Sequence, residues 1–173
     1  MENQSNQIIE SYKQFWIRFL DVNGRSDRAD YWHPFWINFL ISTVLGALSG
    51  GLLSSIFGIA IIIPSFTVMV RRLHDTNRTM LFAIISYISG FIASVGTLVF
   101  FFGVVLAANA SEGWVLGATA FAGVFGIVVA GLVTLYIIYL LVLPGDKAPN
   151  NYGDGGSSKV VSNNPSAQDV EVE

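Results

Sequence analysis

The spacing of its charges limits this chain more than any other feature. Between His33 and Arg71 stand 37 residues without a charge, between Arg78 and Glu112 another 33, and between Glu112 and Asp146 33 more. A helix in water needs a polar face, and these blocks carry no charges to build one. Uncharged apolar runs longer than ~18 residues suffice to cross a bilayer. Charged residues make up 12% of the 173 and hydrophobic ones 53%, about half the charged share of a soluble domain. The chain therefore reads as an all-α integral membrane protein.

One helix over the first block would run roughly 55 Å, well beyond a ~30 Å hydrocarbon core. Ser49-Gly50-Gly51 breaks it, since glycine permits a tight reversal. Four spans follow, at about 33–49, 52–70, 80–106 and 114–143, with the turn ANASEG (108–113) before the last. Basic residues test this count. With four spans, Lys13, Arg18, Arg25, Arg28, Arg71, Arg72, Arg78, Lys147 and Lys159, all nine of the chain, share one side. With a single crossing in the first block they split four against five. The positive-inside bias selects the hairpin and puts both termini in the cytoplasm. RRLHDTNRT (71–79) is then the cytoplasmic turn between spans two and three.

The membrane domain occupies residues 23–145 on this reading, between two flanks. Residues 1–22 hold an amphipathic helix. Ile8, Ile9, Tyr12, Phe15, Trp16, Phe19 and Leu20 recur at helical spacing, with Glu10, Lys13, Gln14 and Arg18 on the other face. At this length and polarity it lies along the interface, with Trp16 at headgroup depth. The alternative is a helix packed on a partner protein. Residues 146–173, rich in Gly, Pro, Ser and Asn, cannot bury enough apolar surface to order themselves and read as a disordered cytoplasmic tail.

Three segments, NGRSDRADYW (23–32), RRLHDTNRT (71–79) and PGDKAPNNYGD (144–154), resemble the marks of a bacterial inner-membrane family called domain of unknown function 805. Gly24, Arg25, Arg28, Tyr31 and Trp32 match the first mark. Pro64, Arg71, Arg72, Leu73, His74 and Asp75 match the second; Asn150 or Asn151, Tyr152 and Gly153 match the third. The resemblance covers roughly residues 15–154. Many members carry a glycine and tryptophans after the histidine-aspartate turn, where this chain has Asn77, Thr79 and Met80. The family implies a helical membrane domain and no established activity.

The first two marks fall at one depth on one face. Arg25, Arg28, Asp27 and Asp30 there meet Arg71, Arg72, His74, Asp75 and Arg78, beside Gly24, Tyr31 and Trp32. Charges at headgroup depth are best held in pairs, and the arginine fork suits carboxylate and phosphate alike. Two readings follow: an ion-pair clasp between helices, or a pocket for an anionic lipid headgroup. The excess of arginine over aspartate attracts anionic lipid in either case. No HExxH, GxSxG or P-loop occurs, and adjacent His74 and Asp75 point apart on a helix. No catalytic residue, cofactor or metal site is expected, and the net charge of −3 gives no footprint for nucleic acid. His33, next to Pro34, reads as an interfacial polar anchor.

The leading expectation is a non-enzymatic, membrane-organising protein. The alternative is an oligomeric small-solute transporter or pore, although ion-coupled carriers keep ionisable groups inside the membrane and these blocks hold none. Small residues favour close helix contact, within the chain or between copies as a homo-oligomer. They recur at Ser42, Gly46 and Gly50 and at Ala118, Ala122, Gly126 and Ala130, with Thr119, Gly123, Ile127 and Gly131 alongside.

The chain has no cysteine, so single cysteines report topology cleanly. Cysteines at Ser54 and Asn109 should react with an impermeant thiol reagent from outside, and one at Ser157 only from the cytoplasm. Labelling of Asn109→Cys from the cytoplasmic side alone would refute the topology.

Overall fold

The computed structural model describes residues 2–107 and 113–154. It contains five helices: α1 (Glu2–Ile17), α2 (Arg28–Ser49), α3 (Leu52–Asp75), α4 (Leu81–Ala107) and α5 (Gly113–Val142). Helices α3, α4 and α5 are each long and apolar enough to cross a membrane. Helix α2 carries Arg28, Asp30, His33 and Asn38 in its first half, which dilutes its hydropathy. Large apolar side chains face outward, Phe91 and Leu98 at 70% exposure and Phe121 at 74%. Only lipid or another apolar partner can cover such a surface. The turn expected at 108–113 falls almost wholly outside the described residues.

Two helical hairpins form the body. Asp27 starts α2: its carboxylate accepts the backbone N–H of Asp30 at 2.9 Å, a standard N-cap. Gly50 and Gly51 end it with φ of 60° and 99°, values that only glycine adopts without strain. The N–H of Gly51 returns to the carbonyl of Gly46 at 3.1 Å, and α3 starts at once. The reversal expected at Ser49-Gly50-Gly51 is therefore present.

Helix α3 does not stop at residue 70. It continues through Arg71–Asp75, so most of the segment read as a loop is helix and the turn is confined to residues 76–80. Asn77 makes that turn with φ of 53°, which asparagine tolerates better than other non-glycine residues. The N–H groups of Asn77 and Arg78 close on the carbonyls of His74 and Leu73 at 3.0 and 2.9 Å.

Burial is concentrated at one end. Phe15, Tyr31, Val68, Val70, Leu73, Ala83, Ile137, Leu140 and Leu141 form the apolar core, where the ends of α3 and α5 meet the starts of α2 and α4. Away from their turn, α3 and α4 meet at Tyr87, whose hydroxyl donates to the Ile62 carbonyl at 3.3 Å and whose ring packs edge-on against Phe66, whereas α4 and α5 pack along their length. Helix α1 lays Ser11 and Phe15, both buried, against the start of this core and leaves Ile9, Ile17 and the following Leu20 exposed. The packed face thus includes a serine that apolar periodicity does not select.

Only part of the small-residue ladder of α5 makes the α4 contact. A Cβ at Gly123 would lie 2.7 Å from Phe100, and one at Gly103 would lie 2.5 Å from Thr119. Gly117, Gly126 and Gly131 have nothing within 4 Å of theirs. Gly103→Ala and Gly123→Ala should therefore each lose about 1–3 kcal/mol through overpacking. Gly126→Ala should be neutral or gain up to about 1 kcal/mol from helix propensity. Thermal unfolding in detergent, compared across the three variants, checks this ordering.

Candidate functional site

The last helical turns of α3 present two working faces. Residues three apart on a helix share a side, so Arg71 and His74 point one way while Arg72 and Asp75 point another. The first face holds the segment between α1 and α2. Arg71 Nε donates to Ser26 Oγ at 3.2 Å, and the Ser26 N–H donates to the Arg71 carbonyl at 3.0 Å. Arg71 Nη1 reaches the carbonyl of Arg18 at 3.0 Å and also that of Asp21. His74 Nδ1 lies 3.2 Å from the Gly24 carbonyl, and Gly24 takes φ of 76°.

The second face centres on Asp75. Its Oδ1 lies 3.0 Å from Arg25 Nε and 2.9 Å from Arg25 Nη2. Its Oδ2 meets Arg72 Nη1 at 2.5 Å. All three side chains are buried. One carboxylate thus joins an arginine fifty positions away to the arginine one turn behind it. Arg72 then spends its other donors on the end of α5: Nε donates to the Leu141 carbonyl at 3.1 Å, and Nη2 donates to that of Leu143. A helix C-terminus leaves its last carbonyls unpaired and carries partial negative charge. A guanidinium suits both needs.

Arg25 holds the segment after α5. Nη1 donates to the carbonyls of Ala148 at 3.0 Å and Gly153 at 3.1 Å, and Nη2 donates to that of Asp146. The Asp146 N–H returns to the Asp75 carbonyl at 2.8 Å. Asn150 Nδ2 donates to the His74 carbonyl at 2.9 Å and to Asp146 Oδ2 at 3.0 Å. The Tyr152 ring stacks on His74 with centroids 3.7 Å apart. Residues 146–154 are therefore docked on the site, which corrects the expectation of a disordered tail from 146. Composition promised no buried apolar surface, and docking rests on backbone carbonyls captured by arginine instead. The rest of that tail, 155–173, lies outside the described residues.

The expected cluster divides into two groups. Gly24, Arg25, Arg71, Arg72, His74 and Asp75 come together. Arg28 and Arg78 are exposed and form no side-chain hydrogen bond or ion pair among the described residues. Asp30 accepts from Ser11 Oγ at 3.2 Å, Tyr31 lies in the apolar core, and Trp32 packs against it. Asp27 serves as a cap, and the charges of Asp30 and Asp27 favour the charged forms of Arg71 and Arg72 respectively. The arginines use carbonyls more than carboxylates. His33 Nδ1 lies 3.4 Å from Ser11 Oγ, which ties it to α1.

Gly145 is a site residue that sequence reasoning missed. A Cβ there would stand 1.9 Å from Asp75 Oδ2 and 2.5 Å from its Cγ. The Pro144-Gly145 pair closing the last apolar block was the available signal. The carbonyls of Leu141 and Leu143 carry none, because every residue has one.

Two carboxylates at the rim differ in character. Burial pushes the Asp27 carboxyl above its ordinary range, with the Asp30 N–H drawing it back and the Asp30 charge raising it further. Burial would also raise Asp21, but the Asn23 N–H, the Arg18 hydrogen bond and the charges of Arg18 and Arg71 hold it below its usual value. Asp21 therefore stabilises the fold above its unfolded pKa, and that stability is lost as pH falls below it. Asp27 has the opposite sign: its ionised form disfavours the fold, and the fold gains as pH falls into its range.

A protein-family profile described as protein of unknown function (DUF805) matches residues 19–154. The inner membrane protein YhaH of Escherichia coli strain K12 is 32% identical over 87 residues, covering 44% of this chain and 72% of that protein. The inner membrane protein YhaI of the same strain is 29% identical over 89 residues, covering 48% and 75%. No solved structure matches the chain.

Asp75→Asn and Arg25→Gln should each cost about 3–5 kcal/mol, because each strands a buried partner. The double variant should fall short of their sum by at least about 1 kcal/mol, as expected for groups in contact. Gly145→Ala should resemble Asp75→Asn. Asp27→Asn keeps an equally good cap and removes a disfavoured charge, so it should melt no lower than the wild type. Melting temperatures of the five variants in detergent at neutral pH decide each.

Proposed function

We propose, from the premise that this chain belongs to the DUF805 family of proteins of unknown function, that it is a non-enzymatic, membrane-organising protein. Its buried arginine cluster is a helix clamp, and anionic lipid is met at the rim. The observation that carries this reading is the use of the guanidinium donors. Arg25, Arg71 and Arg72 direct them at protein carbonyls, Ser26 and Asp75, which leaves the buried cluster committed to protein. Arg28 and Arg78, exposed at its edge, are the cations available to lipid phosphate. Each contributes about 1 kcal/mol of attraction to an anionic leaflet.

On this reading the chain crosses the inner membrane four times, with both termini in the cytoplasm. Helix α2 has 22 residues and is about 33 Å long, enough to span. It pairs with α3 through the glycine reversal. The nine-to-none placement of basic residues supports the same orientation. Helix α1 lies in the cytoplasmic interface, its exposed Ile9, Ile17 and the following Leu20 turned to acyl chains. The partners are membrane lipids and, through the open small-residue face of α5, further copies of the chain.

The test combines stability with lipid content. The wild type purified from membranes should carry more phosphatidylglycerol than the bulk lipid. Arg28→Gln with Arg78→Gln should remove that enrichment at unchanged melting temperature. Asp75→Asn should lower the melting temperature. If Asp75→Asn instead keeps its melting temperature and loses the anionic lipid, the cluster is a binding site and the clamp reading fails. Saturable solute flux in proteoliposomes would favour a transporter.

A further inference from the structure

A second polar group lies apart from the arginine cluster, within the apolar body. Asn38 is 5% exposed. Its Oδ1 accepts the Tyr12 hydroxyl at 3.2 Å, while its Nδ2 has no hydrogen-bond partner among the described residues. No polar side-chain atom there is both buried and unpaired, so the amide must reach open space. That space is a cavity of about 340 Å³ walled by α1, α2, α3 and α4, and Asn38 lines it. Ser42, Ser65 and Tyr31 line it too, and their hydroxyls likewise make no hydrogen bond within the described residues. The remaining wall is apolar and aromatic, including Phe15, Phe35 and Phe39.

The cavity begins at Phe15 and Tyr31, in the core at the charged end, and runs inward from the headgroup site to Ser42 and Ser65. Ser65 stands ten residues before Asp75 on α3, about 15 Å along the axis, at the level of acyl chains rather than phosphates. An amide and hydroxyls left unpaired in hydrocarbon are costly unless something accepts from them. The wall contains no charged residue, so a charged ligand would have no counter-ion there. The volume falls within the range of small-molecule sites. The donors call for a neutral acceptor, and the walls call for an apolar body.

We propose that this cavity binds one neutral, carbonyl-bearing lipid, its carbonyl accepting from Asn38 Nδ2 and the serine hydroxyls and its tail leaving between the helices. Two membrane molecules share that chemistry: a glycerolipid with ester carbonyls, and a lipid-soluble quinone with ring carbonyls. Tyr12, held on Asn38, sets the amide orientation, and Phe15 walls the cavity on the α1 side.

The experiment uses the full chain in non-ionic detergent, with bound ligand counted by native mass spectrometry. Dioctanoylglycerol, decyl-benzoquinone and laurate are titrated separately. Saturable uptake of one equivalent of either neutral probe is expected, with laurate at least tenfold weaker. Uptake of dioctanoylglycerol alone identifies the glycerolipid, and uptake of decyl-benzoquinone alone the quinone. Uptake of both shows that the carbonyl suffices. Asn38→Leu should weaken binding about tenfold, the equivalent of one hydrogen bond. Because Asn38→Leu also frees Tyr12, Ser42→Leu and Ser65→Leu serve beside it. Both fill the cavity without breaking a hydrogen bond and should abolish saturable uptake at unchanged melting temperature. Unaltered affinity in both serine variants overturns the proposal. So does laurate binding as tightly as the neutral probes, or no saturable uptake of either neutral probe.

Discussion

Asp75, gripped by Arg25 on one side and Arg72 on the other, is the contact on which the arrangement of the helices depends. Two buried guanidinium groups beside a single carboxylate leave excess positive charge, and desolvation makes that expensive. The excess is dispersed over backbone carbonyls, each an obligatory acceptor that needs a partner wherever water is excluded. Some of those carbonyls close α5, some follow α1, and some belong to the strand of chain after α5. One anionic point therefore orders two cations, and these hold the segment before α2, the end of α5 and the segment after it.

This arrangement resolves the weakness of association between membrane helices. Apolar side chains gain little by leaving lipid for one another, so helices need close packing or polar ties. The α4–α5 pair uses close packing at Gly103 and Gly123. Helix α3 is tied to the end of α5 by Arg72 and to the segment before α2 by Arg71 and His74. The buried core sits at the charged end because the ties are there, and the opposite ends of the helices keep large apolar side chains exposed.

The three marks shared with the DUF805 family become one object in space. Arg25 comes from the first, Arg71, Arg72, His74 and Asp75 from the second, and Asn150, Tyr152 and Gly153 from the third. Asn150 rather than Asn151 makes the contact, because its amide spans from the His74 carbonyl to Asp146. The mark placed after the last helix supplies carbonyls and a ring that cover Arg25 and His74.

Charge spacing alone determined that the chain is helical and belongs in a membrane, because a long uncharged apolar run has no other stable solution in lipid. It also located the glycine reversal and led to the expectation that Arg25 and Asp75 lie at one depth, and the two side chains are in contact. Tertiary structure decided the remainder. It drew Asp27 and Asp30 away to a helix cap and to Ser11, and left Arg28 and Arg78 in the open. It set Gly145 against Asp75 and folded residues 146–154 onto the site. The reason is the identity of the acceptors. Arginine here is paired chiefly with backbone carbonyls, which are the same at every residue, so only the positions of the helix ends determine which of them lie within reach.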